Sequence, residues 1–205
     1  MEKKEIKLDD EVIVYSFEYK PMYTKEKIID SVSKLISEMP HIKSDGYIFN
    51  KPIDEFNDIY HFCSERCKEL ANKNSITFDN FILHKWVSVL RSKPVQPMEL
   101  DVENKEPTYH NHKVMAEKSG KMLPLYSFVY YLQMPDNLSG IDGHILFKNK
   151  NGNVLKYLPK ENEVLLINSD LSHAPIHAKN SIKNRIVLAG DFIVHNINNK
   201  IKTLI

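Results

Sequence analysis

The spacing of apolar and polar positions changes near residue 75, and the two halves predict different structure. Between residues 24 and 39, apolar residues fall at Ile28, Ile29, Val32, Leu35, Ile36 and Met39. That is the spacing of one helix face, with Thr24 placed as an N-cap and Pro40 beyond the end. Residues 54–72 repeat the pattern through Phe56, Ile59, Tyr60, Cys63, Cys67 and Leu70. Ahead of both, residues 12–19 alternate and suit an edge strand, and Ser44-Asp45-Gly46 reads as a turn.

Beyond residue 75 the apolar runs shorten. Residues 76–90 read as a strand or hairpin, and further strands are expected over 109–115, 125–133, 144–147, 154–158, 163–168 and 186–194. Asn137, Gly140, Asp142, Gly143 and Asn151-Gly152 supply turns between them, and the polar stretch 92–106 is long enough to act as a lid. Many short strands with turn residues between them argue for a sandwich or barrel. The expected fold is α+β and mainly β: a double-stranded β-helix, or jelly roll, with two supporting N-terminal helices over one sheet face. One domain is expected over 1–205, in which 1–75 form a helical support with an edge strand and 76–205 the jelly-roll core.

Composition narrows the functional classes. A formal net charge of +1 supplies no basic field for nucleic acid and no attraction to a membrane surface. No apolar run reaches transmembrane length, and the opening Met-Glu-Lys-Lys-Glu lacks a signal-peptide core, so a cytoplasmic, intracellular location is expected. Cys63 and Cys67 share a helix face and read as small buried or half-buried thiols, not as a disulfide framework. Basic residues are nearly all lysine, with arginine only at 66, 91 and 185, so an arginine inside an apolar segment stands out.

Three histidines carry the candidate chemistry. In an extended strand His110 and His112 of Tyr109-His110-Asn111-His112-Lys113 point to one face, where two imidazoles can each meet one metal at about 2.0–2.1 Å. His173, after the strand at 163–168, is the third candidate ligand. His144 and His177 are its nearest rivals, and the remaining histidines read as surface or packed residues. Arg185 opens an otherwise apolar strand with no acidic residue beside it in sequence. A guanidinium entering a barrel is costly without an anion, and a dicarboxylate would answer it through a bidentate fork. The competing reading is an edge-strand arginine paired with a surface carboxylate. Ser127, Val129 and Tyr131 share a strand face, and the Tyr131 hydroxyl beside Arg185 could serve the same ligand.

These residues resemble a known family. His110-x-His112, Val129-Tyr130-Tyr131-Leu132, Gly143-His144-Ile145-Leu146-Phe147, His173 and, twelve residues on, Arg185 are similar in order and spacing to the iron(II)- and 2-oxoglutarate-dependent oxygenases of the prolyl 4-hydroxylase-like type. Phage-encoded members are especially similar, which would place the protein in a host cytoplasm. The resemblance spans somewhat under half the chain. It implies iron(II) on His110, His112 and His173, and 2-oxoglutarate as cosubstrate with its far carboxylate on Arg185 and Tyr131. It further implies dioxygen as partner, and hydroxylation of a C–H bond with release of succinate and carbon dioxide. A prolyl side chain in a peptide is the leading substrate, and a small molecule the other.

The sequence departs from the family at one point. The family places an aspartate or glutamate where His112 stands, completing a facial set of two histidines and one carboxylate. Three outcomes are open: a three-histidine iron centre, completion by a carboxylate from elsewhere with Glu117 the nearest, or His112 turned to substrate. Two other readings compete. His110, His112, Glu117 and His173 also resemble the ligand set of a cupin-type metalloenzyme, although the glycines of both cupin motifs are missing. A non-catalytic jelly-roll binding module would keep the barrel and lose the metal.

Overall fold

The fold is built on a sheet that packs a hydrophobic core on each of its two faces. The computed structural model describes residues 3–7, 13–38, 46–49, 53–90, 107, 109–118, 122, 124–195 and 198–199. In chain order these form β1 (Lys3–Lys7), β2 (Ile13–Glu18), α1 (Lys25–Ser37), β3 (Gly46–Phe49), a 3-10 turn at Asp54–Phe56, α2 (Asn57–Lys73), β4 (Ile76–Thr77) and β5 (Asn80–Leu90). Then follow α3 (His112–Lys118), β6 (Pro124–Gln133), β7 (Ile145–Lys148), β8 (Val154–Tyr157), β9 (Glu163–Asn168), β10 (Ser172–Pro175), β11 (Arg185–His195) and β12 (Asn198–Asn199).

The strands make a seven-stranded sheet in the order β1-β2-β9-β6-β11-β5-β3 and a three-stranded sheet in the order β10-β7-β8. Every pairing is antiparallel, and His110 adds a single bridge to His173 on β10. Passing from β5 through the His110 bridge to β6, β7, β8, β9, β10 and β11, the chain switches repeatedly between the two sheets. This is the expected jelly roll. Strands 144–147, 154–158, 163–168 and 186–194 appear within a residue or two of their expected bounds.

The large sheet separates two cores. Its outer face packs on the helices: Ile28 and Val32 of α1 and Ile59, Cys63, Cys67 and Leu70 of α2 meet Phe17, Val87, Phe128, Leu166 and Phe192. The Thr24 side chain accepts from the Lys27 amide at 3.3 Å and starts α1 as its spacing predicts. Both cysteines are free and buried. The inner face packs on the small sheet through Tyr131, Leu165, Val187, Phe147 and Leu171. Buried Glu163 of β9 ties the layers, accepting from Ser16 Oγ on β2, the Tyr157 hydroxyl on β8 and the Lys160 amide.

Two expectations are corrected and one is narrowed. The strand at residues 12–19 is not an edge: β1 pairs outside β2, and Lys4 and Lys7 give the sheet a charged border that resists further pairing. Of the two readings of residues 76–90, the strand holds and the hairpin does not: β5 is one long strand paired with β11 and β3, while the short β4 before it pairs with β12. Residues 109–115 are not a strand. Asn111 Oδ1 accepts from the Val114 amide at 2.7 Å, and this cap turns the chain into α3 from His112. The expected lid at 92–106, and Met39, Pro40, Ser44 and Asp45, lie outside the described residues.

Gly190 allows β11 to lie between its neighbours. A Cβ there would stand 2.4 Å from the Phe128 ring and 2.7 Å from the His84 carbonyl oxygen. Phe128 is fully buried and His84 contributes backbone, so neither contact is a flexible tip. Gly190→Ala is expected to lower stability by about 1–3 kcal/mol, the cost of overpacking a filled core. Urea denaturation of the variant measures it, and an unchanged midpoint would show that the sheet yields there.

Candidate metal centre

The site forms where the end of the small sheet meets the inner face of the large one. His110 and His173 exchange two backbone hydrogen bonds, His110 N–H to His173 O at 3.0 Å and His173 N–H to His110 O at 2.9 Å. Such a pair holds its side chains next to each other, and the two ring centroids are 4.4 Å apart. His112 reaches the same place by another route. The Asn111 cap starts α3, the Lys113 amide donates to Ser169 O at 3.0 Å, and the first helical turn swings His112 back under the pair. Its ring lies 5.1 Å from that of His173 and 5.6 Å from that of His110.

One ligand nitrogen from each of the three lies within 4.8 Å of the others, close enough to share one ion. The three histidines expected to act together are therefore together, although the HxH spacing works through a cap and helix start and not through an extended strand. Glu117, also on α3, is not in this group. His144 is spent on its own loop, with Nδ1 3.1 Å from Asp142 O.

The electrostatics suit His173 to serve as a neutral ligand. Burial and the neighbouring His110 and His112 push the pKa of His173 down to about 3. His173 Nδ1 lies 3.0 Å from the Leu171 carbonyl oxygen and donates to it, leaving Nε2 as the acceptor nitrogen. Neutral imidazole is the form that binds a metal.

Arg185 opens the inner face of β11 and is 5% exposed. Its Nε and Nη1 are buried and have no hydrogen-bond partner among the described residues. Burial lowers its pKa, and Tyr131 opposes that shift. Tyr131 is 1% exposed and pairs with Val187 in the β6–β11 register, diagonal to Arg185 on the same face. Burial raises its pKa and the Arg185 charge works against the rise. A buried cation with two unanswered N–H groups is the environment a bound anion would complete.

Two residues that sequence reasoning left out also face the site. Asp191 Oδ1 lies 2.5 Å from His112 Nδ1 and accepts from Ser127 Oγ at 2.7 Å. His84, expected to be an ordinary histidine, stands with Nδ1 3.9 Å from Asp191 Oδ2 and its ring 5.3 Å from Trp86, which lies 5.5 Å from His112. The signal for Asp191 was available: it falls on the same alternation as Arg185, Val187 and Ala189, as an acid on the inner face of an apolar strand.

No protein-family model matches the sequence, and no curated protein matches it. The fold does match solved structures. A prolyl-4-hydroxylase from Pseudomonas putida is similar with a TM-score of 0.54 at 12% identity, over 88% of this chain and 93% of that one. HygX from Streptomyces hygroscopicus, with nickel and 2-oxoglutarate bound, gives a TM-score of 0.53 at 12% identity over 88% and 82% of the two chains. The viral collagen prolyl hydroxylase of Paramecium bursaria Chlorella virus-1, a 2-oxoglutarate complex, gives 0.50 at 13% identity over 88% and 96%. At these identities the likeness is one of fold. Among the described residues no helix is long and apolar enough to cross a membrane.

The depressed His173 pKa makes the metal-free protein sensitive to acid. In the unfolded chain His173 takes up a proton near its ordinary pKa of 6.5, whereas in the fold it stays neutral down to about 3. The unfolded state therefore binds more protons between these values, and stability falls as pH drops from 6.5 toward 3, by at most about 1.4 kcal/mol per pH unit from this residue. Urea denaturation of metal-free protein at pH 7, 6 and 5 reads the slope. The His173→Ala variant is expected to show a shallower one, and an identical slope would contradict the assignment.

Proposed function

We propose that the protein is an iron(II)- and 2-oxoglutarate-dependent dioxygenase that hydroxylates a C–H bond and releases succinate and carbon dioxide. The observation that carries this reading is the buried Arg185, with Nε and Nη1 unanswered among the described residues, on the strand that also carries Asp191 to His112 of the histidine cluster. A protein that buries an unpaired charge loses stability unless a ligand supplies the counter-charge. A dicarboxylate with one end at the metal answers it with the other.

In this reading His110, His112 and His173 hold iron(II), and Arg185 and Tyr131 take the far carboxylate of 2-oxoglutarate. The three imidazoles fit that role as a group of nitrogens gathered within 4.8 Å and set apart from Glu117. This favours a three-histidine centre over the four-ligand, cupin-like alternative. Bound iron supplies the redox chemistry with dioxygen. The chain's own part is to orient and to keep water out: Phe147, Leu171 and Val187 wall the interior beside the site with apolar surface.

The likeness to proteins named as prolyl hydroxylases supports a prolyl residue in a peptide as substrate, with a small molecule as the second candidate. A single oxygenase domain over 1–205 and a cytoplasmic location complete the proposal, in a host cytoplasm if the chain is phage-encoded.

Anaerobic calorimetric titration of 2-oxoglutarate into the iron(II)-loaded protein tests the assignment. Arg185→Met is expected to weaken binding about 100-fold or more, since each lost charge-assisted hydrogen bond is worth about 1.5–3 kcal/mol. The same variant is expected to leave ligand-free stability unchanged or to raise it by about 1–4 kcal/mol, because it removes a buried, unpaired charge. Full binding by Arg185→Met, or none by the wild type, would overturn the reading. Succinate release across proline-containing peptides, free amino acids and nucleotides identifies the substrate class. The largest stimulation is expected from the peptides.

A further inference from the structure

The departure of His112 from a carboxylate leaves a question of charge that Asp191 answers. Asp191 Oδ1 meets His112 Nδ1 at 2.5 Å and receives Ser127 Oγ at 2.7 Å, while Ser127 Oγ lies 3.0 Å from His112 Nδ1. An ionised carboxylate only accepts, so both protons of this triangle point to it: the Nδ1 proton of His112 and the hydroxyl proton of Ser127. Ser127 is fully buried, and its two partners are the ones that fix its orientation. With Nδ1 committed to Asp191, His112 has its lone pair on Nε2. His173 is committed in the same sense by the Leu171 carbonyl.

We propose that Asp191 is a positioning residue that presents His112 to the metal through Nε2 and supplies, from one shell further out, the negative charge that a direct carboxylate ligand would bring. Formally, His110, His173 and the His112–Asp191 pair carry one negative charge together, as do two histidines and one aspartate. The charge stays at the site but moves behind an imidazole. Such outer partners fix the ring orientation and raise the basicity of the ligand. The placement comes from β11, which carries Arg185 and Asp191 on one face, six residues or about 20 Å apart. One strand thus serves the cosubstrate at one end and the metal ligand at the other.

This inference rests on the metal reading given above, and the test separates the two. Competition titration with cobalt(II) measures affinity in the wild type, Asp191→Ala, Asp191→Asn and Asp191→Glu. The alanine and asparagine variants are expected to bind about 10–100-fold more weakly, the usual cost of losing such a partner. Asp191→Glu is expected to recover part of the loss. Nitrogen-15 NMR of the metal-free wild type should find the His112 proton on Nδ1, and in the asparagine variant a shift of population to Nε2–H. Far-ultraviolet circular dichroism identifies variants that fold, and the asparagine variant, nearly the same size, stands in if the alanine variant does not. The cobalt absorption bands of the variants, at saturating metal, should keep the wild-type form.

Binding by both Asp191→Ala and Asp191→Asn within about twofold of the wild type would overturn the role of Asp191 and leave the histidine centre standing. Altered cobalt bands, reporting a lost oxygen ligand, would make Asp191 a direct ligand and overturn it equally. No metal uptake by the wild type would overturn the metal reading and this inference with it.

Discussion

The alternation of β11 is the constraint from which the site follows. This strand runs between β5 and β6, so its backbone groups are committed to ladders on both sides and its side chains can go only to the two faces of the sheet. One face, Ile186, Leu188, Phe192 and Val194, is claimed by the helices. The other must present Arg185, Val187, Ala189 and Asp191 to the interior between the sheets. A one-residue slip would exchange the two sets, placing both charges against α2 and the apolar residues in the site. The close approach at Gly190, against Phe128 and the His84 carbonyl, suits only the observed register.

The remaining parts of the site are brought to this face by short-range devices. The backbone bridge between His110 and His173 fastens the chain before α3 to the edge of the small sheet. The Asn111 cap then turns the chain so that His112 points at the same volume, where Asp191 and Ser127 meet it. A cap and a bridge replace what an extended strand would have done. The result differs in one respect: His112 approaches close to the large sheet, within reach of a carboxylate from β11. That reach is the physical basis for placing the missing charge on Asp191.

The helical layer contributes rigidity, not chemistry. Phe17 of β2 meets Phe62 of α2 at 6.3 Å, Tyr60 of α2 meets Phe128 of β6 at 5.9 Å, and Tyr19 just beyond β2 stacks on Phe62 at 4.2 Å, so rings join α2 to the outer face of the large sheet. Burial drives the thiol pKa values of Cys63 and Cys67 upward, which leaves them protonated and unreactive within this layer. A packed back to the sheet keeps β11 in place and its inner-face residues in register.

Periodicity alone located α1, α2 and most of the jelly-roll strands, because each has a face that must be buried and a spacing that says which. Capping was legible at Thr24 but passed over at Asn111, where the HxH pattern suggested a strand and the local hydrogen bond to Val114 decided otherwise. The three histidines and Arg185 were readable as residues whose chemistry the surrounding sequence did not answer. The partners of these residues were not readable. Asp191 lies seventy-nine positions from His112 and Ser127 fifteen, and nothing local links them. Contacts across a sheet depend on strand order and register, and those are settled by the packing of the whole β-structure. The sequence by itself singled out the side chains whose chemistry calls for a partner; only the tertiary structure, through strand order and register, brought the Asp191 carboxylate against His112.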